Sequence, residues 1–205
     1  RPLHEQGGAI VEVNAGPGLL MHLKPAEGAP RPVGQAIVEH LFPAEEHQDD
    51  DTVGRIPVVG VAGTRGTATI ARLVAWLLHL GGRHTGLACR DGLFLDRRCV
   101  ESADSAHWEA AHRMLMNRMV QAAVIENDAR TILRDGLAYD RCQVGVVTDM
   151  DGAENLAEFD IQTREQMTKV LRTQVDVVLD GGAAVLNAAD PQVADLAPLC
   201  DGDVV

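Results

Sequence analysis

Aromatic side chains are scarce: three Phe, two Trp and one Tyr in 205 residues. A core can still form, because 46% of the chain is hydrophobic, but it has to be aliphatic, built from Val, Leu, Ile and Ala. Basic residues are also few, 18 Lys and Arg against 30 Asp and Glu. The resulting formal charge of −12 argues against non-specific binding to nucleic acid or to an anionic membrane. Long apolar runs are missing, and a stretch such as Leu73 to Leu80 is too short to span a bilayer. The four cysteines, Cys89, Cys99, Cys142 and Cys200, form no Cys-x-x-Cys pair and no Cys/His cluster with zinc-ligand spacing. They read as buried or idle thiols in a reducing cytoplasm. His107 and His112 lie five apart, which does not place them on one helix face, and read as ordinary helix residues. No signal peptide is visible, and a chain that opens on Arg1 rather than Met reads as lacking its natural N-terminus.

Residues 44–54 are polar and acidic without apolar periodicity, so they read as a linker. The linker separates a short segment, residues 1–43, from a body over residues 55–205. In the body, Ile56 to Ala62 is a β-rich run, followed by a helix through Leu80 that Gly81-Gly82 closes. Thr85 to Cys89 reads as a strand. Gly92 to Leu95 and Arg98 to Val100 read as a hairpin turning at Asp96-Arg97. Ala103 to Met119 has helical composition, Ala122 to Ile125 and Val144 to Thr148 read as strands, Thr163 to Thr173 as a helix and Ala183 to Leu186 as a strand. Such alternation predicts an α/β fold, a mostly parallel sheet with helices on both faces. The ending Asp201-Gly202-Asp203-Val204-Val205 reads as a turn entering a strand cut short.

The stretch Val58-Val59-Gly60-Val61-Ala62-Gly63-Thr64-Arg65-Gly66-Thr67-Ala68-Thr69 carries the most chemistry. A strand enters a glycine-punctuated turn and then a helix, which aims backbone N–H groups and the helix dipole at one point. A full phosphate loop places Lys and then Ser or Thr after Gly66, for phosphate charge and for magnesium. Here Thr67 and Ala68 stand there. Two readings remain open: a reduced nucleotide site binding through its backbone, or an ordinary strand–helix junction without a ligand.

The loop and its downstream motifs resemble the central domain of the Mur ligases, and the cyanophycin synthetase family most closely. That family's loop reads Gly-Thr-Asn-Gly-Lys-Thr-Thr, against Gly63-Thr64-Arg65-Gly66-Thr67-Ala68-Thr69. The likeness continues at Asp91-Gly92, through Ile132 to Cys142, at Val144-Gly145-Val146-Val147-Thr148, and at Ala184-Val185-Leu186-Asn187-Ala188-Ala189-Asp190-Pro191. Residues 1–43 resemble the end of an ATP-grasp domain, and Glu12-x-Asn14 resembles its magnesium-binding pair. Alternate residues of a strand point to one side, so Glu12 and Asn14 can share a cation. The resemblance implies ATP and magnesium as cofactors, with Gly63 to Thr69 at the phosphates, Asn187 and Asp190 near the adenine, and Glu126 at a second magnesium site. It also implies an aspartate–arginine polymer or dipeptide as partner, in a cytoplasmic homo-oligomer.

Several departures fall on the chemistry. Besides the lost Lys and Thr, Ala-Arg-Gly-Gly after the glutamate has become Asp128-Ala129-Arg130-Thr131, Asp149 replaces an asparagine, and Glu154-Asn155-Leu156 replaces Asp-His-Leu. Lys169 falls near where the family places a substrate-facing lysine. The expectation is a folded Mur-type domain that has lost its own ligation step while an ATP-grasp half carries the reaction. The alternatives are a scaffold or nucleotide-sensing domain derived from a Mur ligase, or an intact site in which Arg65 replaces the lysine, a poor exchange because its fixed fork sits two residues early.

Overall fold

The computed structural model describes residues 5, 7–8, 12–16, 18–41 and 54–205. The chain divides into two compact units, residues 1–55 and 56–205.

In the first unit, α1 (Leu20–Leu23) and α2 (Val33–Leu41) are the regular elements among the described residues, and neither buries a residue. Of the stretch around Glu12 and Asn14, the described residues 12–16 have irregular backbone. Asn14 Nδ2 donates to Glu12 Oε1 at 2.9 Å on an exposed surface. Residues 9–11 and 17 of that stretch, and the predicted linker apart from Gly54, lie outside the described residues.

The second unit is built on one sheet of eight strands: β1 (Val58–Ala62), β2 (Thr85–Cys89), β3 (Gly92–Leu95), β4 (Arg98–Glu101), β5 (Ala122–Asn127), β6 (Cys142–Val147), β7 (Val178–Leu186) and β8 (Asp203–Val204). They lie in the order β4-β3-β2-β5-β1-β6-β7-β8, parallel except where β3 pairs antiparallel with β2 and β4. The helices are α3 (Thr67–Leu80), α4 (Trp108–Leu115), α5 (Ala129–Asp135), α6 (Arg164–Leu171), α7 (Thr173–Asp176) and α8 (Pro191–Ala194). Strand alternation sends Val59 and Val61 to one face, where Ala71 and Ala75 of α3 pack. It sends Val58 and Ala62 to the other, toward Met114 of α4 and Leu171 of α6. Helices therefore cover both faces, and the core is aliphatic.

Several boundaries differ from the sequence reading. The helix predicted over residues 103–119 shrinks to α4, because Ser105 N donates to Cys89 O and Ala106 N to Asp104, tying the preceding stretch into a turn. His107 is the N-cap of that helix, accepting from Ala110 N at 3.4 Å, and His112 stacks on Trp108 at 4.5 Å. The helix α5 was not foreseen. Asp128 starts it by accepting from Arg130 N at 2.6 Å, and Gly136, at φ 78°, stops it. The predicted helix over residues 163–173 divides: Thr163 and Gln166 form a capping box for α6, and α7 follows after Arg172. The strand foreseen from Ala183 begins earlier, at Val178.

Gly60, in mid-β1, is required by close packing. A Cβ there would lie 2.0 Å from the Tyr139 hydroxyl and 2.4 Å from the Gln174 amide. Those two groups and Asn127 satisfy one another in the interior: Asn127 Nδ2 donates to Tyr139 at 2.7 Å, and the Tyr139 hydroxyl donates to Gln174 Oε1 at 2.9 Å. The network sets how closely β1 approaches the layer behind it.

Candidate functional site

Because β5 and β6 flank β1, the parallel strands end together and leave a crevice at their C-terminal edge, where ligands of open α/β sheets bind. A cleft of about 1000 Å³ opens there, with Ile70, Val146, Val185 and Leu186 on its apolar side and Arg65, Asp149, Asp151, Arg164, Asn187 and Asp190 on its polar side.

The glycine-rich turn between β1 and α3 forms one wall. Gly63 has φ 133°, and a Cβ on it would lie 2.0 Å from Thr148 Oγ1, so this position takes only glycine. Gly66, at φ 69°, caps α3. The turn's donors converge on the Asp149 side chain. Thr64 N donates to Oδ2 at 3.0 Å, Thr64 Oγ1 to Oδ1 at 2.6 Å, Arg65 N to Oδ2 at 3.0 Å and Thr148 Oγ1 to Oδ2 at 2.8 Å. Asp149 is 7% exposed. Burial pushes its carboxyl up, but the Thr64 and Thr148 hydroxyls and the amides of Thr64 and Arg65 outweigh that and hold it down at about 2.

Thr67, in the lysine position, is buried and donates to Glu126 Oε1 at 2.7 Å. Glu126 also accepts from Arg90, whose amide donates to Oε2 at 2.8 Å and whose Nε donates to Oε1 at 2.8 Å. Glu126 is 2% exposed, so this bond set neutralises a carboxylate at the end of β5. Ala68 is half-buried and Thr69 exposed. Arg65 points to solvent and pairs with Asp151, which also pairs with Arg164. Arg164 reaches Asp190 at 2.5 Å and Gln192 Oε1 at 2.7 Å. This chain of charges ties the loops after β1, β6 and β7 across the cleft.

Asn187 and Asp190 line the cleft together with Arg65 of the turn. Asn187 Nδ2 donates to Thr148 O at 2.9 Å, and Asp190 caps α8 through Gln192 N at 3.1 Å. Glu126 lies behind Thr67 rather than in the cleft lining. Lys169 is exposed on α6 and does not line the cleft. Glu12 and Asn14 are in the first unit. Among the described residues no group of three His, Cys, Asp or Glu side chains is placed to hold a metal ion, and no helix is long and apolar enough to cross a membrane. Sequence reasoning missed Arg90, Asp151 and Arg164, whose partners are 13 to 86 residues away in the chain or across different loops. It marked Asp149 as a substitution without its contacts.

The sheet, the turn and the helices define an α/β fold of Mur-ligase type. A solved UDP-N-acetylmuramoyl-L-alanyl-D-glutamate–2,6-diaminopimelate ligase superposes with TM-score 0.60 at 17% identity, covering 89% of this chain and 38% of that one. MurF ligase from Thermotoga maritima, solved in complex with ADP, superposes with TM-score 0.50 at 18% identity over 73% of this chain and 32% of its own. At such identities these show the fold alone. The sequence is closer to cyanophycin synthetases: it is 42% identical over 197 residues to that of Synechocystis sp. and 39% identical over 204 residues to that of Crocosphaera subtropica. These alignments cover 96% and 100% of this chain but 22% and 23% of the relatives, so the chain spans about a fifth of their length. The resemblance to the cyanophycin synthetases therefore holds along the whole chain. No family model matches it.

Proposed function

We propose that the chain is the Mur-type portion, with the end of an ATP-grasp portion, of a cytoplasmic cyanophycin synthetase-like ligase, and that its Mur-type site no longer drives ATP chemistry. The observation that carries this is the Asp149 carboxylate seated on the amides of Thr64 and Arg65, the groups a phosphate would need. A phosphate oxygen brought within about 4 Å of that carboxylate costs about 4 kcal/mol at an effective dielectric near 20. No lysine compensates, since Thr67 is spent on Glu126 and Arg65 on Asp151. Ala68 offers no hydroxyl to magnesium, and Glu126 already accepts three hydrogen bonds from Thr67 and Arg90. The residues present do not fit a magnesium-bound triphosphate.

In the full-length protein an ATP-grasp half would then form the acyl phosphate, with Glu12 and Asn14 as candidate magnesium ligands and an aspartate–arginine dipeptide or polymer as substrate in a homo-oligomer. The test is calorimetric titration with ADP and magnesium of the parent chain and of a Thr67→Lys/Ala68→Thr/Asp149→Asn variant. No heat from the parent and micromolar binding by the variant is the expected result. Micromolar binding by the parent would overturn the reading.

A further inference from the structure

On the opposite side of β1 from the cleft's acidic loops, α3 and the β3–β4 hairpin form a separate groove of about 440 Å³. Arg72, Trp76, His79, Phe94, Asp96 and Arg97 line it, with Asp96 held by His79 and His84. Two of the chain's six aromatic residues meet here. Each backs a guanidinium: Arg72 lies 5.5 Å from the Phe94 ring centre, and Arg97 lies 5.9 Å from that of Trp76. Arg72 is already paired with Asp91 at 2.9 Å. Arg97 has no ion-pair partner among the described residues, so the guanidinium beside the indole is not committed to a carboxylate. Beside it α3 exposes Leu73 (57%), Trp76 (44%), Leu77 (57%) and Leu80 (63%), one apolar row at helical spacing.

The charge here runs against that of the rest of the unit. Of the five Arg in residues 72–98, Arg72 is committed to Asp91 and Arg90 to Glu126, which leaves Arg83, Arg97 and Arg98 against Asp96, whereas residues 149–205 hold twelve acidic residues against three basic ones. Charges farther than about 8 Å are screened at physiological salt, so the local cluster governs what lands on it. An uncommitted arginine fork matches a carboxylate bidentately, and the leucine row matches an apolar neighbour. A nucleic acid would need a broader basic footprint than this.

We propose that the groove between α3 and the β3–β4 hairpin is a docking site for an acidic polypeptide segment, with Arg97 taking a carboxylate over the face of Trp76. The test uses the full 205-residue chain carrying Trp108→Phe, so that Trp76 is the sole emitter. Short fluorescein-labelled poly-L-aspartate is titrated at low salt, with poly-L-lysine and oligo-dT as comparators. Binding should shift the Trp76 emission, weaken with added salt, fall about tenfold or more in Arg97→Glu and stay unchanged in Arg172→Glu at the far side of the sheet. Arg97→Lys, which keeps the charge and loses the fork, should fall between. An unchanged Trp76 emission, equal binding by the parent and Arg97→Glu, or oligo-dT binding as tightly as poly-L-aspartate would each overturn the assignment.

Discussion

Replacing Asp149 by Asn removes the charge on which the glycine-rich turn is folded while keeping the shape of the side chain. Its carboxyl sits at about 2 in the folded chain, against about 3.9 when unfolded, a gap worth about 2.5 kcal/mol. Because the folded value is the lower one, this stabilisation is complete above about pH 5 and fades as the pH falls toward 2. Asn keeps one acceptor oxygen and turns an NH2 toward amides that also donate, which adds about 1 kcal/mol. Urea unfolding at pH 7 should therefore show the variant less stable by about 3.5 kcal/mol. At pH 3 the charge-dependent part should shrink to about 1.3 kcal/mol, so the curves of parent and variant converge. A loss below about 1 kcal/mol, or a gap of equal size at both pH values, would refute the assignment of the turn's stability to this carboxylate.

Other substitutions test the surrounding structure. Gly60→Ala drives a methyl group into the Tyr139 hydroxyl and the Gln174 amide, so it should cost about 3 kcal/mol or more by urea unfolding; a loss under about 1 kcal/mol would mean that β1 can shift. Arg90→Ala leaves Glu126 buried with its charge unpaired and should cost about 3 kcal/mol, whereas Arg90→Ala combined with Glu126→Gln should recover part of that. A disulfide reagent at pH 8 should modify the exposed Cys99 first and reach Cys89 and Cys142 only on unfolding. Burial raises both of their thiols, that of Cys142 to about 12; rapid labelling of Cys142 in the folded chain would contradict this.

The elements around the site were legible because their signals are local. The β-branched run at Val58–Val61, the glycines at 63 and 66 and the Gly81-Gly82 stop place strand, turn and helix by themselves. The hairpin was legible for the same reason, and Asp96 holds its turn at φ 52° while accepting from Thr85 N at 2.8 Å. Short elements with weak patterns were harder. The helix α5 has a clear cap and stop but only two buried residues, and α4 lost both flanks to side-chain bonds that composition does not register.

The sequence by itself determined the alternation of strands and helices, the frame of a phosphate-loop turn, the acidic balance and the likeness to cyanophycin synthetases, because each rests on neighbouring residues or on ordered motifs. Tertiary structure alone decided what occupies that frame. Asp149 is 85 residues from Thr64, and Arg90 is 36 from Glu126. No periodicity links such positions. They meet only because β6 lies beside β1 and β2 beside β5, so that the ends of these strands share one edge of the sheet. There the Asp149 carboxylate, from the loop after β6, sits on the amides of the turn after β1.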